Sequence, residues 1–146
     1  MLLHHRIASL GLAVVAAAVV LGQPAWALDG PGATSEVLIK TESSWDGTRY
    51  QGYAAGQPEV TVLKISIPPR TELPWHTHPM INVAYVLSGE LTVMKRDTGQ
   101  TKHLKTGDVL PEMVNAVHTG RTGDSPVVLI VFYAGATGQP LADVVR

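Results

Sequence analysis

Hydrophobic and polar residues alternate over much of the chain beyond residue 59. Val60-Thr61-Val62-Leu63-Lys64-Ile65-Ser66-Ile67 alternates cleanly in its second half and predicts a strand. Pro68-Pro69 ends it, because proline has no N–H to give to a ladder. An extended segment restarts over Thr71 to His78. Asn82 to Leu87 and Glu90 to Lys95 read as a hairpin about Ser88-Gly89. A turn at Asp97 to Gln100 leads to a short strand over Thr101 to Leu104. Thr106-Gly107-Asp108 then turns into Val109 to Glu112, followed by an extended Ala116 to Gly120 and a loop over Arg121 to Pro126. Val127 to Tyr133 is apolar at every position and predicts a strand buried on both faces. The Gly-rich tail from Ala134 is expected to lie along the surface, and Glu36 to Lys40 predicts a short first strand. Many short strands between Gly-marked turns, with no repeat and no long amphipathic helix, predict an all-β sandwich or small barrel.

The first residues follow a different pattern. Met1 to Arg6 is short and basic, Ile7 to Gly22 is apolar, and Ala25-Trp26-Ala27 matches a small-x-small cleavage site. Residues 1–27 therefore predict a cleaved signal peptide and a periplasmic or secreted protein. The apolar core is short for a spanning helix, so no membrane association is expected after cleavage. His4 and His5 would leave with the signal. Residues 28–58 read as a leader and loop carrying Trp45, Tyr50 and Tyr53. These aromatics either cover one mouth of the domain or pack on the outside of a sheet. Composition adds two exclusions. The net charge of -1, with no long basic run, argues against a nucleic-acid partner. The absence of cysteine excludes disulfides, thiolate nucleophiles and Cys-held zinc, so any metal must be bound by nitrogen and oxygen.

Nitrogen is available in a suggestive arrangement. Side chains two apart on a strand project to one face, so His76 and His78 would stand side by side. His118 supplies a third imidazole if the barrel brings the two stretches together. Three neutral histidines suit one divalent transition metal (Fe, Mn, Zn, Ni or Cu) and leave positions open for water or substrate. Glu112, amid Val109, Leu110, Met113 and Val114, either faces the metal or points to solvent; a lone charge turned into the core would be costly. Asn82 either contacts a ligand or is a plain loop residue. Tyr85 and Trp75 line the pocket or simply pack. His103, between Lys102 and Lys105 in a polar strand, is expected on the surface.

At these stretches the chain resembles the cupin superfamily. His76, His78 and Gly89, with the ending Tyr85-Val86-Leu87-Ser88-Gly89-Glu90, match its first motif; Gly107, Asp108 and His118 match its second. The resemblance implies a double-stranded β-helix, or jelly-roll barrel, here over residues 59–146. It also implies a metal and, through edge-strand pairing, a homodimer. Two departures stand out. The carboxylate that many cupins use as a fourth ligand is replaced by Asn82. The second-motif turn is Met113-Val114-Asn115, where Asn115 would take the left-handed conformation that glycine normally supplies; the terminal position is Thr122. Without the carboxylate, the metal would keep its full charge and act as a stronger Lewis acid. Three functions remain open: a small-molecule metalloenzyme, dioxygenase-like or Lewis-acid; a module that binds a small molecule or metal without chemistry; and a metal-free structural dimer.

Overall fold

The computed structural model describes residues 32–146. The predicted signal peptide and residues 28–31 lie outside the described residues. Among the described residues there are nine strands: β1 (Pro58–Ile67), β2 (His76–Thr77), β3 (Ile81–Ser88), β4 (Glu90–Lys95), β5 (Thr101–Lys105), β6 (Val109–Pro111), β7 (His118–Arg121), β8 (Val127–Ala136) and β9 (Asp143–Val144). They form a four-stranded sheet in the order β1-β8-β3-β6 and a five-stranded sheet in the order β5-β4-β7-β2-β9. Every pairing between these strands is antiparallel. No helix occurs among the described residues. This is the expected all-β jelly roll, with its core between the sheets: Ile67, Ala84, Val86 and Leu129 from one meet Leu91, Val93 and Leu104 from the other.

Local chemistry sets the corners. Gly89 has φ 83°, and a Cβ there would collide with the Pro126 carbonyl oxygen, so only glycine closes the β3–β4 turn. Asn115 has φ 56° and takes the left-handed conformation expected of it.

Three elements differ from the sequence reading. Glu36 to Lys40 joins no ladder; Val37, Leu38 and Ile39 are exposed, because a strand exists only where an edge receives it. The tail does more than lie along the surface. β8 runs on to Ala136, and Asp143–Val144 pairs with Thr77 and His76 as an edge strand. Third, β8 is buried on one face only. Phe132 is 42% exposed on the outer side. Register places it in a row with Val62 and Val83, and Ile130 in a row with Lys64 and Tyr85. The outer face of this sheet is thus largely apolar as well, which is why β8 shows no alternation.

Candidate metal centre

The two sheets bring separate sets of side chains to one end of the barrel. From the five-stranded sheet come the histidines. His76 and His118 are direct cross-strand partners, and His78 follows β2 one residue on. One ring nitrogen of each of the three lies within 4.8 Å of the others, and the ring centroids are 4.4 to 5.1 Å apart.

Their orientation is held by the backbone. Nδ1 of His76 lies 2.8 Å from the Pro74 carbonyl, Nδ1 of His78 2.8 Å from that of Leu141, and Nδ1 of His118 2.8 Å from that of Ala116. A carbonyl can only accept, so each Nδ1 must carry the hydrogen and donate it. Each Nε2 is then an unprotonated lone pair. Burial pushes His78 and His118 down to about 4, so both are neutral at pH 7. The Nε2 of His118 is buried and has no hydrogen-bond partner. Metal-binding histidines characteristically donate the other ring N–H to a carbonyl or carboxylate, and all three rings follow that pattern.

From the four-stranded sheet come Asn82 on β3, Tyr133 opposite it on β8, and Glu112 one residue past β6. Glu112 is turned inward, and burial raises its carboxyl to about 8. Its Oε2 lies 3.5 Å from Nε2 of His118 and makes no hydrogen bond. The Glu112 amide donates to the Asn82 carbonyl at 3.0 Å, so the two side chains arise from adjacent points on neighbouring chain segments. Asn82 is fully buried. Sequence reasoning did not single out Tyr133, whose parity with Leu129 and Val131 marks it as inward. Nor did it find Leu141, whose carbonyl orients His78; no sequence signal marks a backbone carbonyl. Tyr85, on the outer face of β3, does not line the site. Trp75 packs beneath the Arg96 guanidinium, and His103 is on the surface bonded to Thr92.

These groups border a cavity of about 60 Å³. Its remaining wall is apolar, with Ile67, Leu91, Val93 and Leu129 among it. A larger surface groove of about 570 Å³, bordered by Glu90, Lys105 and Asp124, touches none of the histidines. The segment before β1 closes the barrel beside Glu112. Trp45 packs on the core and its backbone N–H donates to the Pro111 carbonyl, while the Tyr50 hydroxyl donates to the Glu112 backbone carbonyl. Asp46 bonds Lys95 at the end of β4 at 2.9 Å, with only 3% of its side chain exposed. Burial alone would raise the Asp46 carboxyl, but hydrogen bonds from Ser44, Lys95 and Thr48 outweigh it and hold it far below the usual range. Trp45 and Tyr50 therefore cover this end, while Tyr53 is exposed.

Residues 63–133 match the family model for a cupin domain. No curated protein matches the chain. Among solved structures it resembles a chain from the crystal structures of the DMSP lyases RdDddP and RnDddQII (22% identity, TM-score 0.53, 60% of this chain and 44% of that one). It also resembles the DMSP lyase DddQ from Ruegeria pomeroyi (21%, 0.50, 67% and 46%) and a cupin-like protein from Thermotoga maritima (17%, 0.50, 75% and 89%). The chain spans less than half the length of the lyase structures, and at these identities the likeness establishes the fold.

Proposed function

Because the chain belongs to the cupin superfamily, whose fold by itself specifies no reaction, we propose that it is a metalloprotein acting on a small molecule through one divalent transition metal held by His76, His78, His118 and Glu112. The observation that carries this reading is the set of three Nδ1–H donations to backbone carbonyls, which leave three Nε2 lone pairs free on rings whose ligand nitrogens lie within 4.8 Å of one another.

In this reading Glu112 is the fourth ligand, reaching the ion from the His118 side; its carboxylate lies outside the three-histidine group whose ligand atoms are all within 4.8 Å of one another, and must shift toward them to complete the set. Two ligands on one tetrahedral ion at bond lengths of about 2.1 Å stand roughly 3.4 Å apart, and its Oε2 lies 3.5 Å from Nε2 of His118. The carboxylate missing at Asn82 is thereby supplied by the adjacent segment. An ion at this point also resolves two buried atoms that otherwise lack partners, Glu112 Oε2 and His118 Nε2. When bound, a divalent ion supplies Lewis-acid polarisation of a substrate oxygen or a redox centre, according to its identity. The protein's own part is to hold the rings in one tautomer, keep the carboxylate out of bulk water, and restrict the ligand to a few atoms. A cavity of about 60 Å³ is well below the hundreds of Å³ usual for drug-sized ligands.

Export is part of this reading, supported by the leader pattern, and mass spectrometry of the mature chain should find Leu28 first. The apolar outer face of the four-stranded sheet supports a homodimer, which sedimentation equilibrium would detect. The decisive experiment for function is elemental analysis of untagged protein from the exported fraction, beside His118→Ala. About one metal per chain, lost in the variant, is the expected result. No metal in either, even after reconstitution, would leave a cavity-binding module or a structural cupin.

A further inference from the structure

Asn82 carries an unmet demand that the metal ligands do not explain. Its side chain has no solvent exposure and borders the same cavity as the three histidines. The Nδ2 group is directed at the Met80 carbonyl, at 3.4 Å, two residues back and just ahead of β3. The Oδ1 atom is buried and accepts no hydrogen bond. An amide oxygen is a far better hydrogen-bond acceptor than the aliphatic wall around it, and burying it unpaired is costly unless a visiting group provides the hydrogen. Ile67, Ala84, Leu91, Val93, Leu129 and Val131 offer only carbon, and although Tyr133 and Glu112 also line the cavity, neither hydrogen-bonds Oδ1.

Resting on the metal reading above, we propose that Asn82 Oδ1 is the acceptor that selects the ligand: a small molecule that binds the metal and also presents an N–H or O–H to Oδ1. Size narrows the class further. A cavity of about 60 Å³ restricts the ligand to a few heavy atoms. Short protic chelators fit this description; their aprotic counterparts leave Oδ1 unpaired. The amide is also neutral, so it discriminates by hydrogen bonding and adds no charge to the centre.

The test uses cobalt(II)-loaded protein, whose visible absorption reports ligand exchange without any assay of activity. Acetohydroxamate and N-methylacetohydroxamate both chelate through two oxygens, but only the first retains its N–H. The native protein should bind acetohydroxamate at least tenfold more tightly. In Asn82→Val, which keeps the bulk and removes the acceptor, the preference should fall below threefold. A preference that survives in Asn82→Val would show that methyl size alone decides, and would overturn the proposal. Equal affinities in the native protein would overturn it without any variant. If no cobalt binds at all, the metal reading itself fails and this inference falls with it; cobalt uptake with no discrimination sinks this inference alone.

Discussion

The two sheets contribute to one site in different ways. On the five-stranded side, His76, His78 and His118 each have Nδ1 satisfied by a backbone carbonyl at 2.8 Å, so their orientation is settled by the fold. On the four-stranded side, Glu112 Oε2 and Asn82 Oδ1 are buried without partners. The first half is prepared and the second is left incomplete. Preparation lowers the cost of ordering the ligands when an ion binds. Incompleteness creates selectivity, because a buried unpaired polar atom penalises every occupant that does not answer it. The segments just before β2, β7 and β9 do the first through the carbonyls of Pro74, Ala116 and Leu141; the second needs side chains turned into a dry interior.

The sharpest break in this comparison is His118→Ala. It should lower metal affinity by more than about 100-fold, since changes that only disturb a ligand's support already cost about 10–100-fold; isothermal titration with zinc would show it. Glu112→Gln should cost less, about 10–100-fold, because three nitrogens remain. Adding Asn82→Glu to that variant returns a carboxylate from the adjacent segment and should recover at least part of the loss. No recovery would mean that the position of Glu112, and not merely its charge, is required.

The metal-free protein separates the halves by pH. His78 and His118 have folded values lowered to about 4 from 6.5, so the unfolded chain takes up protons first and stability falls as pH drops from about 6.5 to 4. Glu112 has a folded value raised to about 8 from 4.5, so the unfolded chain releases its proton first and stability falls as pH rises from about 4.5 to 8. Thermal melts in chelator should decline on both sides. Glu112→Gln should flatten the alkaline limb, by at least about 1 kcal/mol above pH 8, and steepen the acid limb between about pH 4.5 and 6.5, where Glu112 otherwise opposes the two histidines. The smallest effect belongs to the closing segment. Asp46→Ala removes the partner of Lys95 and should cost about 1–2 kcal/mol of stability in denaturant melts, with metal affinity changed less than threefold.

Some of this could be read before folding. The spacing of His76 and His78 and the alternation through β3 and β4 follow from the two-residue period of a strand, which is local. The same period turns Asn82 inward with Ala84 and Val86. Glu112 was ambiguous because β6 ends at Pro111, and past a strand end parity no longer assigns a face. The apolar run of β8 was read as doubly buried because a strand with apolar residues on both faces looks the same whether or not anything covers its outside.

By itself, then, the sequence determined the all-β class, the turns closed by Gly89 and Asn115, and the three imidazoles of the site. These depend on steric and periodic rules acting over a few residues. Tertiary structure alone decided that Glu112 turns inward beside His118, that Leu141 orients His78 from 63 residues away, and that a two-residue strand near the C-terminus completes the sheet carrying the histidines. Each of these is a pairing between distant parts of the chain, whose free energy exists only once both partners have been brought together.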